Sequence, residues 1–357
     1  MSLDFPPFEL LRWIMQNYKE VKYDLASSNM PISVPDLSGQ LKGVDLCLGS
    51  PTGSEELKKA ISEVAGAHPD NILVTNGASE ANFLVCASLL SREEEALVER
   101  PYYEPLASIP RGLGASVKFI DRKPADFPLD LDVLHESITP ATKLLILTNL
   151  HNPSGAQIPE EVLENLSQIA REKGFYVLCD EIFNDFAYAP SKHAFSFGER
   201  MISTVGMSKF YGTGGLRIGW ILAEKGVLES CRRVKEHTAV TCSSLSEKMA
   251  VLVLQETERI KAKNREILNH NSQTVLDWAR TEGIDMMTPA GANICFPSLP
   301  VTNTLNFCKH LLSKDTLVSP GEFFGLAGHV RIGFGCESSI LQEGLNRVSE
   351  ALHELAG

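Results

Sequence analysis

No two of the eight cysteines (Cys47, Cys86, Cys179, Cys231, Cys242, Cys295, Cys308 and Cys336) stand in a Cys-x-x-Cys pair, and several fall inside apolar runs. That spacing gives no disulfide framework or zinc ribbon and points to reduced, structural thiols. No stretch approaches the apolar length that spans a bilayer, which argues against a membrane-embedded protein. The opening residues Met1-Ser2-Leu3-Asp4-Phe5-Pro6-Pro7 lack a basic start followed by an apolar core, so no secretory signal is expected and the cytoplasm is the expected location. Clusters of lysine and arginine are also missing from a chain of net charge −12, which argues against nucleic acid or an anionic membrane as partner. Internal repeats and low-complexity tracts are absent too, so the chain is not an array of small units.

What remains is an ordinary globular composition, 43% hydrophobic and 22% charged, over 357 residues, long enough for two domains. Phe8 to Tyr18 carries Leu10, Leu11, Ile14 and Met15 at helical spacing, followed by an extended stretch from Tyr23 to Asn29 and by Pro31 and Pro35, which exclude regular structure. Ser54 is a suitable N-cap for a helix from Glu55 to Val64. From about residue 70, short β-rich runs alternate with amphipathic helices: Ile72 to Thr75, Ala96 to Glu99, Ser116 to Ile120, Lys143 to Thr148, Phe175 to Cys179, Ile202 to Val205 and Ile218 to Leu222. This alternation predicts an α/β fold with a mostly parallel sheet covered by helices on both faces. A helix opened by Pro159 and closed before Gly174 completes a βαβ unit. A long helical tract, Ser243 to Arg280, then replaces the alternation, and the remainder to the last helix, Ser338 to Leu355, reads as smaller α+β structure. The expected division is a large domain over 46–235 and a small domain made of 1–45 and 236–357.

Ligands of a parallel sheet collect at the carboxyl ends of its strands, so the polar residues just after each strand are the candidates. Thr75-Asn76-Gly77-Ala78-Ser79 is a glycine turn entering a helix, and its backbone N–H groups suit a phosphate. A plain capped turn is the alternative. Asn152, in Asn152-Pro153-Ser154-Gly155, can face the strand ends, or this tetrapeptide is only a surface turn. Asp180 follows an apolar strand and needs a cation or donor there, unless it is a solvated loop acid. Lys209 lies between two short buried strands, and Arg217, eight residues on, carries a fork suited to phosphate or to a structural ion pair. His151 has no visible partner and is left out of the catalytic set. A phosphate cradle, a partly buried acid, a nucleophilic lysine and the aromatic Tyr103 together fit pyridoxal 5'-phosphate.

The spacing Ser-Lys-x-x-Gly-x-x-Gly-x-Arg-Ile-Gly, filled by Ser208, Lys209, Gly212, Gly215, Arg217, Ile218 and Gly219, resembles the fold type I aminotransferases of class I and II. The resemblance extends to Asn76 through Ala81, Pro101 through Pro105, Asn152 through Gly155, Asp180-Glu181, and Pro320 through Gly325 followed by Arg331-Ile332. It implies a homodimer that moves an amino group between an α-amino acid and a 2-oxo acid. By the same resemblance, Lys209 would hold the cofactor covalently and shuttle a proton, and Asp180 would meet its ring nitrogen. Arg217, Ala78, Ser79 and Ser208 would serve the phosphate end, Tyr103 would stack on the ring, and Asn152 would reach the ring oxygen and the substrate. Arg331 would take the substrate's α-carboxylate. Ser27, Ser28, Asn29 and Arg111 could approach its side chain, but no motif fixes this, and an acidic, aromatic or phosphorylated substrate stays open. The chain departs from the family pattern at Phe183, Leu48 and Gly206, where relatives usually carry hydroxyls, so a thinner polar shell around the cofactor is expected. A β-lyase or decarboxylase with the same cofactor, and a non-catalytic relative, stay open at this level.

Overall fold

The computed structural model describes residues 5–31, 39, 44–46, 49–124, 126–188 and 191–356. Its strands are β1 (Tyr23–Asp24), β2 (Ile72–Thr75), β3 (Glu95–Arg100), β4 (Ser116–Asp121), β5 (Thr142–Thr148), β6 (Tyr176–Asp180), β7 (Met201–Gly206), β8 (Gly219–Leu222), β9 (Ile294–Cys295), β10 (Thr316–Leu317), β11 (Ser319–Pro320) and β12 (Val330–Gly333). The helices are α1 (Glu9–Asn17), α2 (Glu55–Ala65), α3 (Ala78–Leu89), α4 (Pro105–Leu113), α5 (Leu131–Ser137), α6 (Glu160–Lys173), α7 (Lys225–Lys235), α8 (Ser244–Gln255), α9 (Thr257–Thr281), α10 (Thr304–Leu312) and α11 (Ser338–Ala356).

Seven strands form one sheet in the order β2-β8-β7-β6-β5-β3-β4. Every pair in it is parallel except those made by β8, which runs against both β2 and β7. The expected mostly parallel sheet is therefore present, and its strands are near-continuous apolar runs because both faces are covered. Along β5, Leu144 and Ile146 pack with Leu84 and Val85 of α3 and Leu228 of α7, whereas Leu145 and Leu147 pack with Leu163 and Leu166 of α6. The period-2 alternation of a strand thus divides one apolar run between two helical layers.

Helix ends follow local chemistry. Ser54 accepts from Leu57 N at 3.4 Å to open α2, and Gly174, in the left-handed region, closes α6 after Pro159 at its N-cap. The tract from Ser243 to Arg280 is two helices and not one. Glu256 leaves helical geometry at φ −94°, ψ 8°, and the Thr257 hydroxyl donates to the Leu254 carbonyl at 2.6 Å, competing with the helical ladder. Two smaller sheets complete the fold: β1 pairs with β10 in parallel, and β12 lies between β11 and β9 in antiparallel pairing. Among the described residues the cysteines are unpaired, and no helix is long and apolar enough to cross a membrane.

Candidate active site

Register brings the site together. Thr75 and Gly206 both pair with Gly219, so the ends of β2 and β7 and the start of β8 lie side by side. Gly77, at φ 85°, turns the chain over this junction into α3, whose first turn has no side-chain cap. Gly219 has to be glycine here, because a Cβ on it would lie 2.6 Å from the Gly77 carbonyl carbon and 2.7 Å from Ala78 N. Gly206 is nearly as confined, with Ala78 N at 3.2 Å and Ala78 Cβ at 3.3 Å from where its Cβ would be. The missing hydroxyl at 206 therefore belongs to a close approach of strand and turn.

Arg217 completes this end. It adopts φ 54°, a strained conformation for a side chain of its size, and its Nη1 and Nη2 donate to the Gly214 and Asn76 carbonyls at 3.1 and 3.3 Å. A Cβ at Gly77 would come within 2.6 Å of Arg217 Nη2, so glycine lets the guanidinium lie over the turn. Among the described residues Arg217 has no ion pair. An uncapped helix start beneath an arginine that has only neutral partners is an anion cradle. A phosphate fits it.

At the other end, Asp180 closes β6. Its Oδ2 accepts from Asn82 Nδ2 at 2.7 Å and its Oδ1 from Ile182 N at 3.1 Å, while Asn82 Oδ1 accepts from the Thr204 hydroxyl at 2.6 Å. Burial pushes the Asp180 carboxyl up to about 6, against the pull of the Asn82 and Ile182 donors and the Lys209 ammonium. Asn82 and Thr204 escaped the sequence reading. Asn82 sits one turn inside a helix, where nothing local distinguishes it from a solvated asparagine, and its partner is 98 residues away.

Lys209 donates to Ser28 Oγ and Asn29 Oδ1, each at 3.0 Å. Burial, with the nearby Arg331 guanidinium, brings its amine down to about 8 against the opposing pull of Asp180. Arg331 of β12 is buried. It donates to Asn152 Oδ1 and to the Ala26 carbonyl, both at 3.0 Å, and its Nε has no partner. Desolvation lowers its guanidinium to about 10. A buried guanidinium with a spare donor and no carboxylate of its own calls for an anion.

These groups share one cavity of about 500 Å³, lined by Ala78, Ser79, Tyr103, Asn152, Asp180, Ser208, Lys209, Arg217 and Arg331, with Ser27, Ser28, Asn29 and Phe183 also on its wall. All the sequence candidates for cofactor and α-carboxylate therefore meet in one place. Arg111 does not: its guanidinium stacks over the Phe119 ring at 5.2 Å on α4, away from the cavity. Leu48 lies outside the described residues. His151 is buried beside the site, bonded to Ser154 Oγ at 2.6 Å and to the Pro101 carbonyl at 2.9 Å, and burial pushes its basicity down. Both ring nitrogens are spent on structure.

The residues present fit pyridoxal phosphate at each point that this structure tests: the uncapped α3 with Arg217 for the phosphate, Asp180 for a cationic ring nitrogen, and Lys209 for covalent capture. The profile of the family described as Aminotransferase class I and II matches residues 40–348. The chain is 29% identical, over 97% of its length and 94% of the relative's, to capreomycidine synthase of Streptomyces vinaceus. It is 27% identical, over 85% of its length and 82% of the relative's, to an aspartate/prephenate aminotransferase of Thermus thermophilus. A PLP-dependent aminotransferase from Streptococcus suis superposes with a TM-score of 0.93 at 30% identity, covering 99% of both chains. The aspartate aminotransferase of Thermus thermophilus with maleate gives a TM-score of 0.91 at 23% identity over 97% of both chains, a likeness of fold.

Proposed function

From the premise that this chain belongs to the aminotransferase class I and II family, whose members use pyridoxal phosphate, we propose that it moves the amino group of an α-amino acid to a 2-oxo acid through Lys209. When bound, the cofactor supplies an electron sink that lets a bond at the amino acid's Cα break heterolytically. The chain's own residues do the rest. Asp180, fixed by Asn82 and Ile182, would hold a positive charge at the ring nitrogen. Arg217 and the N–H groups of Ala78 and Ser79 would hold the phosphate, with Ser208 beside them, and Tyr103 would cover the ring. Arg331 and Asn152, already joined at 3.0 Å, would receive the α-carboxylate, which orients the Cα–H bond toward the lysine. Lys209 Nζ, once free, would take the Cα proton and return it, a task suited to an amine shifted toward neutrality.

The observation that supports this reading most is the sharing of one cavity by a depressed lysine and an arginine with an unmatched Nε. A β-lyase or decarboxylase would use the same lysine but consume its amino acid without an oxo-acid acceptor. Mixing the holoenzyme with one amino acid at a time tests this. Transamination gives one equivalent of oxo acid per site, no free ammonia and recovery of the starting spectrum on adding a 2-oxo acid. Continuous release of ammonia with pyruvate, or of carbon dioxide, would contradict it.

We read 46–235 as the cofactor-binding domain and 1–45 with 236–357 as the smaller one, supported by the seven-stranded sheet lying wholly within the first range. A homodimer in the cytoplasm is part of the same reading. Exposed Leu46 and Leu245 line one shallow depression that also includes Gly49 and Cys242, and the unpaired cysteines suit a reducing compartment.

A further inference from the structure

The mouth of the cavity has an apolar side that the cofactor-binding residues do not account for. Phe8, Leu11, Ile14, Met15 and Tyr18 of the α1 region line it, and Leu11 and Met15 are 46% and 58% exposed although both are large and apolar. Spacing of i, i+3, i+4 and i+7 from Leu11 puts Ile14, Met15 and Tyr18 on one stripe of the helix. This stripe is held in place from both sides. Glu104, next to Tyr103, caps α1 by accepting from Glu9 N and Leu10 N at 2.8 and 2.9 Å, and the Phe8 ring meets Tyr103 edge-on at 5.5 Å. Trp13 Nε1 donates to the Val318 carbonyl at 2.9 Å on the other side. The helix is therefore a fixed wall of the site, anchored beside the cofactor's aromatic residue.

Charge points the same way. Of the charged residues that line the cavity, Lys209, Arg217 and Arg331 each have a task in the proposed reaction, and Asp180 has the ring nitrogen. The remaining one is Asp24, whose Oδ1 already accepts from Ala26 N and Ser27 N at 2.9 and 3.1 Å, close to Arg331. A second carboxylate on the substrate would meet Asp24 and, among the described residues that line the cavity, no further cation. A basic side chain would have to lie along the Leu11, Ile14 and Met15 stripe with Asp24 already matched. We propose that the amino-acid substrate carries an apolar side chain of leucine, methionine or phenylalanine size, seated against α1, with Leu11 and Met15 as specificity-determining residues; this rests on the aminotransferase reading above. The substrate's Cα is held by Arg331 and Asn152, so its side chain alone remains to be placed, and a stripe of exposed apolar groups continuous with that site removes water from it.

The test uses the dimeric or monomeric holoenzyme as purified, with half-reaction rates measured spectroscopically for leucine, methionine, phenylalanine, alanine, aspartate, glutamate and arginine. The apolar long side chains are expected to exceed aspartate, glutamate and arginine in kcat/KM by about tenfold or more, in line with the discrimination that a hydrophobic pocket supplies. Leu11→Ser and Met15→Ser, at half-exposed positions that the fold does not need, are each expected to lower the leucine-to-aspartate ratio about tenfold. Preference for aspartate, glutamate or arginine, or a ratio that neither variant moves, overturns the apolar pocket while leaving transamination standing. A holoenzyme that none of the seven amino acids converts overturns both.

Discussion

Lys209 is set apart by its surroundings more than by its neighbours in sequence. Its amine is down to about 8 because burial and Arg331 disfavour the charge. The sign follows directly: a lowered pKa means the neutral, nucleophilic amine already dominates above about pH 8, where an ordinary lysine near 10.4 is still protonated. The rate at which the apo-protein captures pyridoxal phosphate should therefore rise with pH to a midpoint near 8, measured by stopped-flow absorbance, and a midpoint close to 10 would contradict it. Asn82 gives a second prediction. A hydrogen bond to a charged group contributes about 1.5–3 kcal/mol, so Asn82→Leu should weaken cofactor binding by at least about tenfold in a fluorescence titration, with the fold unchanged by circular dichroism. Lys209, Asp180 and Arg217 could be picked out in the sequence because each stands beside a predicted strand end, whereas Arg331, inside β12, was marked only by the family resemblance. Asn82, Thr204 and Glu104 were not, since each acts on a group far along the chain and no local pattern marks it.

At the level of elements, the strands were legible nearly to the residue, because a short apolar run between turn residues has few other fates inside a covered sheet. Direction was less legible: nothing local in Gly219–Leu222 distinguishes the antiparallel β8 from its parallel neighbours. The helices α4 and α5 also escaped, α4 because Pro110 within it argues against a helix, and α5 because seven residues carry too little period. The cap on α1 by Glu104 is a testable consequence of the folded arrangement. Glu104→Ala removes two backbone partners at a positive helix end, worth about 1 kcal/mol. Faster amide exchange is expected across Glu9–Asn17, with a Tm shift of only about 2 °C. Unchanged exchange in α1 would mean that Trp13 and the packing of Leu10 hold the helix without the cap.

For the whole molecule, the topology explains why residues from four separate motifs become one site. Parallel β5, β6 and β7 end on the same side as β2, and the reversed β8 begins there, so Thr148, Asp180, Gly206, Gly77 and Arg217 converge while their sequence positions span 140 residues. The second half of the chain then adds Arg331 across the cavity, bonded to Asn152. Self-association belongs to this scale: sedimentation velocity should show a dimer, and Leu245→Asp at the exposed apolar depression should shift it toward monomer. The central claim is that Lys209 is the covalent anchor of this shared cavity. Borohydride reduction of the holo-protein followed by peptide mass spectrometry tests it most directly: the cofactor's mass should appear on the peptide containing Lys209 and vanish in Lys209→Ala. Its appearance on another lysine, or its persistence in that variant, would contradict the account.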